Sequence, residues 1–263
     1  MTARDTLSGR VVVVTRPPEQ SEQLARRLRE RGAMVVSAPA IELLPAPRSA
    51  LDRAARELSN GIYAWAVFTS RAGVEAVASA LARAGSAFEA ITCRLAAVGE
   101  GTARALNEVG ARADLVPSTF TTSALGRAMP RGAGKVLLAR ADIAPEGLEE
   151  TLVGKGWTPV RVDAYRTRQS PRLSRTVAQA VRAGSVDVVT FTSASTVDGF
   201  AALARPLVEK GAPLPRAVCI GPVTAAAARK AGFRVVAVAR PHTIDGLVTA
   251  VERALKPRRR KER

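Results

Sequence analysis

Short apolar runs recur along the chain, each closed by Thr, Ser, Gly or Arg. They fall at residues 11–14, 65–68, 95–98, 136–138, 186–191, 218–220 and 235–238. Between them lie Ala-, Leu- and Arg-rich stretches with helical spacing, such as 20–31, 73–84, 102–109 and 225–231. The first kind predicts strands and the second helices. Strands that are apolar throughout and alternate with helices belong to parallel sheets covered on both faces, so the expected fold class is α/β. Gly32, Gly110, Gly156, Gly211 and Gly232 each follow a helical run where a left-handed residue would close it. Two segments break the rhythm, 35–44 and 160–168; both are strand-like, and proline-bearing stretches (Pro45 and Pro47; Pro171) follow them. They read as inter-domain connections.

The pattern is written nearly twice, at a spacing of about 123 residues. Phe68-Thr69-Ser70 returns as Phe191-Thr192-Ser193, Val98-Gly99 as Ile220-Gly221, Thr102 as Thr224, and the segment 10–16 (RVVVVTR) as 134–140 (GKVLLAR). Stacked solenoid repeats run at about 20 to 50 residues, so a period this long indicates a duplicated domain. A chain of 263 residues has room for two such domains, each with its own core.

Composition removes several classes of function. No run of eighteen apolar residues exists and the start, MTARDTLSGR, lacks the apolar stretch of a secretory signal, which leads to the expectation of a soluble cytoplasmic protein without a membrane partner. Cys93 and Cys219 occupy non-equivalent places in the two repeats and read as reduced core residues. One histidine, His242, and two cysteines are too few for a metal-ligand cluster or a Ser-His-Asp machine, and His242 reads as a solvated loop residue.

The net charge of +17 calls for an acidic partner. Residues 256–263 (KPRRRKER) hold six of the basic residues and one acid, leaving +12 for the rest; this tail reads as a disordered, solubilising end. An aromatic content of 4% is poor for base-stacking platforms, and no nucleic-acid reading motif is present. A polyanionic small molecule is the expected partner.

In open α/β sheets ligands bind outside the carboxyl ends of the strands, where helix N-termini point their unpaired amides. Ser70 and Ser193, directly after Phe-Thr and before a helix, fit that place, as do Thr102 and Thr224, three residues past Gly99 and Gly221. The two glycines let backbone approach a ligand closely. Helix capping explains each Ser or Thr equally simply. Gly99-Glu100-Gly101-Thr102 lacks the third glycine of a dinucleotide loop, so no nicotinamide or flavin is expected.

The ordered set VVVVTRP, FTSRAGVEAV, AVGEGTARAL, DAYRT, FTSAST and CIGPVTAAAARKAGF, spread from about residue 10 to residue 250, resembles uroporphyrinogen-III synthase. The resemblance implies a cofactor-free, monomeric lyase. Its substrate would be the polycarboxylate hydroxymethylbilane, which loses water and closes with inversion of its last ring, through a spiro intermediate, to uroporphyrinogen III. It also implies two flavodoxin-like domains facing a cleft: residues 1–36 with 170–263, and 45–158, joined by paired linker strands at 37–44 and 159–169. By the family's pattern Tyr165 assists departure of the substrate hydroxyl; a linker-strand tyrosine packed as a hinge anchor is the alternative. Thr102, Ser193 and Thr224 line the substrate, with Ser70 a looser match. Arg16, after the first strand, is a carboxylate-binding candidate or a structural ion-pair partner. A non-enzymatic binding protein for an acidic metabolite has the same outline and would bind without turnover. A nucleic-acid partner held by the tail would lose affinity on its removal.

Overall fold

The computed structural model describes residues 6–208 and 212–256. Its first half runs β1 (Val11–Val14), α1 (Pro18–Arg29), β2 (Met34–Ser37), β3 (Ile41–Pro45), α2 (Arg48–Ser59), β4 (Tyr63–Phe68), α3 (Arg71–Arg83), β5 (Arg94–Ala97), α4 (Glu100–Glu108) and α5 (Thr122–Ala128). The second half runs β6 (Lys135–Ala141), α6 (Gly147–Val153), β7 (Thr158–Gln169), α7 (Arg175–Arg182), β8 (Val188–Phe191), α8 (Ala194–Ala204), β9 (Ala217–Cys219), α9 (Pro222–Lys230), β10 (Val235–Val238) and α10 (Ile244–Leu255). The chain divides into two compact units, one built from residues up to Glu42 and from Arg168 onward, the other from Leu43–Thr167.

Each unit is wound on a five-stranded sheet. The first has the order β10-β9-β8-β1-β2, with all its neighbours parallel. Numbered from β1 within the unit this is 2-1-3-4-5, the flavodoxin-like order, in which the winding reverses between β1 and β8. The second has the order β3-β7-β6-β4-β5, and Leu115 adds a parallel bridge beyond Ala96 of β5. Numbered from β6, the strands β7-β6-β4-β5 and this bridge follow the same order, with reversal between β6 and β4.

The apolar runs become strands because both faces of each sheet are covered. In the first unit Val13, Val189 and Phe191 pack with Phe200 and Phe233 on one side, while Val12, Val14 and Val188 pack with Leu24, Leu28 and Val251 on the other. In the second, Ala66, Phe68 and Leu137 face α2, α3 and α4, and Val67, Val136 and Leu138 face α5 and α6. Each large apolar side chain buried this way contributes on the order of 1.5–3 kcal/mol. Gly32, Gly110, Gly156 and Gly232 have φ between 78° and 91° and close their helices as expected. Gly211 and the tail beyond Lys256 lie outside the described residues.

The connecting segments differ in detail from the linear reading. The stretch 35–44 is two strands rather than one: β2 ends at Ser37, and Ala38 and Ala40 turn the chain, their amides donating to Val14 and Thr15 carbonyls at 2.8 and 3.0 Å. β3 then pairs with β7, and the two form the edge of the second sheet, since β7 also pairs with β6 along 158–165. At this turn Ser170 donates to the Ala40 carbonyl at 3.0 Å, and α8 approaches so closely that a Cβ on Gly199 would stand 2.3 Å from the Ala40 oxygen.

Gly199→Ala is therefore expected to push α8 off the turn and lower stability by about 1–3 kcal/mol. Gly101→Ala, in α4 with open space around it, is expected to hold or raise stability by up to about 1 kcal/mol. Urea unfolding of the two variants beside the parent checks both, and equal stabilities would refute the packing account.

Candidate functional site

Each sheet gathers polar groups at the carboxyl ends flanking the reversal point, where parallel strands run out and helices begin. In the first unit, β1 and β8 are stitched there by two buried threonines. Thr15 donates its hydroxyl to the Thr190 carbonyl at 2.8 Å, and Thr190 donates to the Val13 carbonyl at 3.0 Å. Arg16 follows, half-buried, its Nη2 donating to Gln20 Oε1 at 3.2 Å. Ser193 begins α8 as a cap. Its Oγ accepts from the Thr196 amide at 3.2 Å, its own amide donates to Thr196 Oγ1 at 3.3 Å, and Ser195 Oγ lies 2.9 Å away. The capping alternative thus describes the hydroxyl of Ser193 directly.

Thr224 is different. It sits in the first turn of α9, 5% exposed, and the cap position is Gly221, which has no side chain to accept from the first-turn amides. α4 in the second unit repeats this arrangement, with Gly99 at the cap and Thr102, 6% exposed, one turn in. By contrast α3, α5, α7, α8 and α10 are capped by Ser70, Thr121, Ser174, Ser193 and Thr243, while α1, α2 and α6, entered through Pro17, Pro47 and Glu146, also lack a side-chain cap. The helices entered through glycine keep the partial positive charge of their N-termini unneutralised by a capping oxygen. Both glycines have extended backbones, which any residue can adopt. At Gly99 the missing side chain makes room for Phe120, whose ring lies 3.0 Å from where a Cβ would be; at Gly221 the nearest group, the His242 ring, leaves ordinary space at 3.8 Å. His242 lies in a loop as expected, but it is half-buried rather than fully solvated, and its Nδ1 bonds the Ala239 carbonyl at 2.8 Å.

In the second unit the reversal point brings Ser70 and Tyr165 together, although 95 positions separate them. Ser70 caps α3, accepting from the Gly73 amide at 3.1 Å, and its hydroxyl stands near the Tyr165 phenol. Tyr165 reaches it because β7 is bulged. Arg140 of β6 is opposite Asp163, but the next residue, Ala141, is opposite Tyr165, so Ala164 is skipped. Val160, Val162 and Ala164 face the core under α2, α3 and α4 by ordinary alternation; strict alternation would send Tyr165 to the opposite face. The bulge returns it to the same face, packed against that core beside Ser70. Burial pushes the phenol above the usual tyrosine range, a shift that the Ser70 hydroxyl partly offsets. At neutral pH it is therefore a hydrogen-bond donor.

One group at this point escaped the sequence reading. Arg140, the repeat equivalent of Arg16, is 1% exposed and paired with Glu149, its Nη1 also donating to the Pro145 carbonyl at 2.9 Å. The correspondence of 10–16 with 134–140 already marked it. Arg71, at the start of α3, pairs with Glu108 and Glu75 on the surface. The thiols of Cys93 and Cys219 are pushed up by burial, to about 11 and about 12, and are not nucleophiles at neutral pH. Among the described residues no three His, Cys, Asp or Glu side chains form a metal-ligand group, and no helix is long and apolar enough to cross a membrane.

These features define a two-unit, doubly wound α/β protein whose hydroxyls and helix N-termini gather at strand ends. Comparison with known proteins narrows the class. The profile of the family described as uroporphyrinogen-III synthase HemD matches residues 22–249, and the chain belongs to this uroporphyrinogen-III synthase family. It is 30% identical over 259 residues to uroporphyrinogen-III synthase of Synechococcus elongatus, covering 95% of this chain and 97% of that protein. It is 35% identical over 249 residues to the porphyrin biosynthesis protein HemD of Ruminiclostridium josui, covering 92% of this chain but only 48% of that longer protein. The fold is shared with the crystal structure of a mutant uroporphyrinogen III synthase from Thermus thermophilus (TM-score 0.67, 21% identity, 94% of this chain and 99% of that one). It is shared also with uroporphyrinogen-III synthetase from Helicobacter pylori (TM-score 0.59, 16% identity, 92% and 98%).

The chain has two tyrosines, and burial raises both phenols, Tyr63 with the further push of Glu57. Two ordinary phenols would give about one phenolate per chain at pH 10. Absorbance at 295 nm is expected to show clearly less. A phenol held neutral in the folded chain supports stability fully below the unfolded value of about 10 and loses that support as pH rises through the folded value. Stability should therefore fall from pH 10 upward, and a full phenolate at pH 10 in the folded protein would contradict the assignment.

Proposed function

We propose that this protein cyclises hydroxymethylbilane to uroporphyrinogen III, expelling the terminal hydroxyl as water and inverting the last pyrrole ring. The observation that carries this reading is family membership over residues 22–249, together with a 30% identical relative of matching length that bears the enzyme's name. In this reading the protein is a lyase that acts as a cytoplasmic monomer, without metal or organic cofactor.

The roles follow from the chemistry of each group. A departing hydroxide must leave as water, so it needs a proton or a strong hydrogen bond as the carbon–oxygen bond lengthens, and the neutral phenol of Tyr165 is the donor for it. Ser70, besides capping α3, aligns that phenol. The substrate is a polycarboxylate, and the glycine-entered helices offer first-turn amides, those of Glu100 and Gly101 in α4 and of Val223 and Thr224 in α9, whose first residue, Pro222, has none; the Thr102 and Thr224 hydroxyls stand beside them. Arg16 adds a guanidinium at the end of β1, and Ser193 contributes whatever its capping role leaves free. The greater part of the task is conformational: the bilane ends have to be held in the geometry that yields ring inversion, and this requires positioned donors rather than a nucleophile.

The purified protein, supplied with hydroxymethylbilane and with its products separated by isomer, is expected to yield the type III product; type I alone, the product of unassisted closure, would refute the proposal. Tyr165→Phe is expected to lower turnover about tenfold to a thousandfold, roughly 1.4–4 kcal/mol of transition-state stabilisation, with the melting temperature nearly unchanged. Type III formation at the parent's rate by this variant would remove Tyr165 from the mechanism.

A further inference from the structure

The bulge that turns Tyr165 onto its face is gripped by one residue outside β7. Asp142, in the loop after β6, donates its amide to the Tyr165 carbonyl at 3.1 Å. Its Oδ1 accepts from the Thr167 amide at 2.9 Å and from the Ile143 amide at 2.9 Å. One residue thus holds the strand at the tyrosine itself and two residues beyond it. This is where regular pairing with β6 has ended, Ala141 opposite Tyr165 being its last pair.

The loop that carries Asp142 is itself pinned by two arginines. Arg161 Nη2 donates to the Ala141 and Asp142 carbonyls at 3.0 and 2.8 Å, and its Nη1 donates to the Ala144 carbonyl at 2.8 Å. Arg140 holds the Pro145 carbonyl at 2.9 Å, and Glu149 lies against both guanidinium groups, paired with Arg140 and 3.6 Å from Arg161. Every carbonyl from Ala141 to Pro145 except that of Ile143 therefore ends on a guanidinium. The arginines suffice to order the loop, whereas the carboxylate of Asp142 spends one of its bonds on the strand.

We infer that Asp142 is a positioning residue for Tyr165: it fixes the bulged backbone and thereby the direction of the phenol. Without the carboxylate the Thr167 amide is released and only the backbone bond to the Tyr165 carbonyl remains, so β7 can relax beyond the tyrosine toward regular alternation, which carries the ring away from Ser70. This inference rests on the reading of Tyr165 as the group that assists hydroxyl departure.

The test is a kinetic cycle on hydroxymethylbilane with Asp142→Ala, Asp142→Asn, Asp142→Glu, Tyr165→Phe and the double variant Asp142→Ala/Tyr165→Phe. Asp142→Ala is expected to lower kcat about tenfold with KM within about twofold, since orientation rather than binding is lost. The Asn variant is expected to keep most of the activity, because its amide oxygen can accept the same two bonds. The Glu variant, a methylene too long for both, is expected to fall with Ala. In the Tyr165→Phe background Asp142→Ala should cost less than about twofold, as expected of coupled residues. A readout independent of turnover is fluorine NMR of the chain labelled with 3-fluorotyrosine, which has only two tyrosines to report. Asp142→Ala should move the Tyr165 resonance and leave that of Tyr63 in place. Equal losses in both backgrounds, an Asn variant as impaired as Ala, or an unmoved Tyr165 resonance would each overturn the role. A silent Asp142→Ala beside a costly Tyr165→Phe would overturn this role alone, whereas a silent Tyr165→Phe would overturn the reading of Tyr165 and this role with it.

Discussion

A parallel strand buried on both faces has no room for a polar side chain except at its ends, and the rest of this structure depends on that constraint. The interiors of β1, β4 and β6 are apolar, and polar residues collect at or within one residue of the strand ends, Thr190 being the penultimate residue of β8. Thr15 and Thr190 are fully buried at such a stop, and each satisfies its hydroxyl on a neighbouring strand's carbonyl. Because parallel strands all end on the same side, the polar groups of one sheet are delivered together to the place where the helices present their N-termini. Where the polar groups gather follows from the hydrophobic pattern alone.

Arg140 shows the same constraint at its most demanding. A guanidinium at the end of β6 is taken almost entirely out of water, and such a charge is tolerable only when paired and hydrogen-bonded. Glu149 and the Pro145 carbonyl satisfy its Nη1, while Nε is buried without a hydrogen-bond partner, and removing one partner of such a pair costs on the order of 3–5 kcal/mol because the other is left uncompensated. The loop from Ala141 to Pro145 is therefore held to the sheet by the needs of a buried charge. Tyr165 borrows this rigidity: its carbonyl and the amide two residues on are bound to Asp142 in that loop. The helix ends divide in a related way. Five helices spend a Ser or Thr side chain on their own first-turn amides and gain stability, typically about 1 kcal/mol each. α4 and α9, entered through glycine, have no side chain that spends itself in this way.

Much of this was legible in the linear sequence because it rests on local periodicity. The apolar runs fall on β1, β4, β5, β6, β8, β9 and β10 within a few residues, and Gly32, Gly110, Gly156 and Gly232 close helices in the left-handed region, where a side chain is costly. Ser70 and Ser193 stand at helix starts as their position after Phe-Thr indicates. What escaped was set by contacts distant in sequence. The break at 38–40 depends on backbone bonds to the end of β1, which lies on the far side of α1 in the chain. The glycine at position 99 answers to the Phe120 ring, and the burial of Arg140 answers to Glu149. The bulge at Ala164 was invisible for a stronger reason. The segment 158–169 alternates apolar and polar positions well enough for a regular strand, and the register slip exists only relative to β6. A tyrosine that the alternation places on one face is in fact on the other.

In the function proposed above, the register slip in β7 presents the neutral Tyr165 phenol to the bond that breaks. The most direct measurement is a crystal structure with a bilane that lacks the leaving hydroxyl, so that the ligand binds and cannot close. The account predicts that the carbon which would carry the hydroxyl stands about one hydroxyl group away from Tyr165 Oη, leaving hydrogen-bond reach of about 2.6–3.2 Å for the missing oxygen, with the bulge at Ala164 and the Asp142 contacts unchanged. A bound bilane whose terminal carbon lies far from that phenol, or a regular β7 with Tyr165 turned to the opposite face, would contradict it.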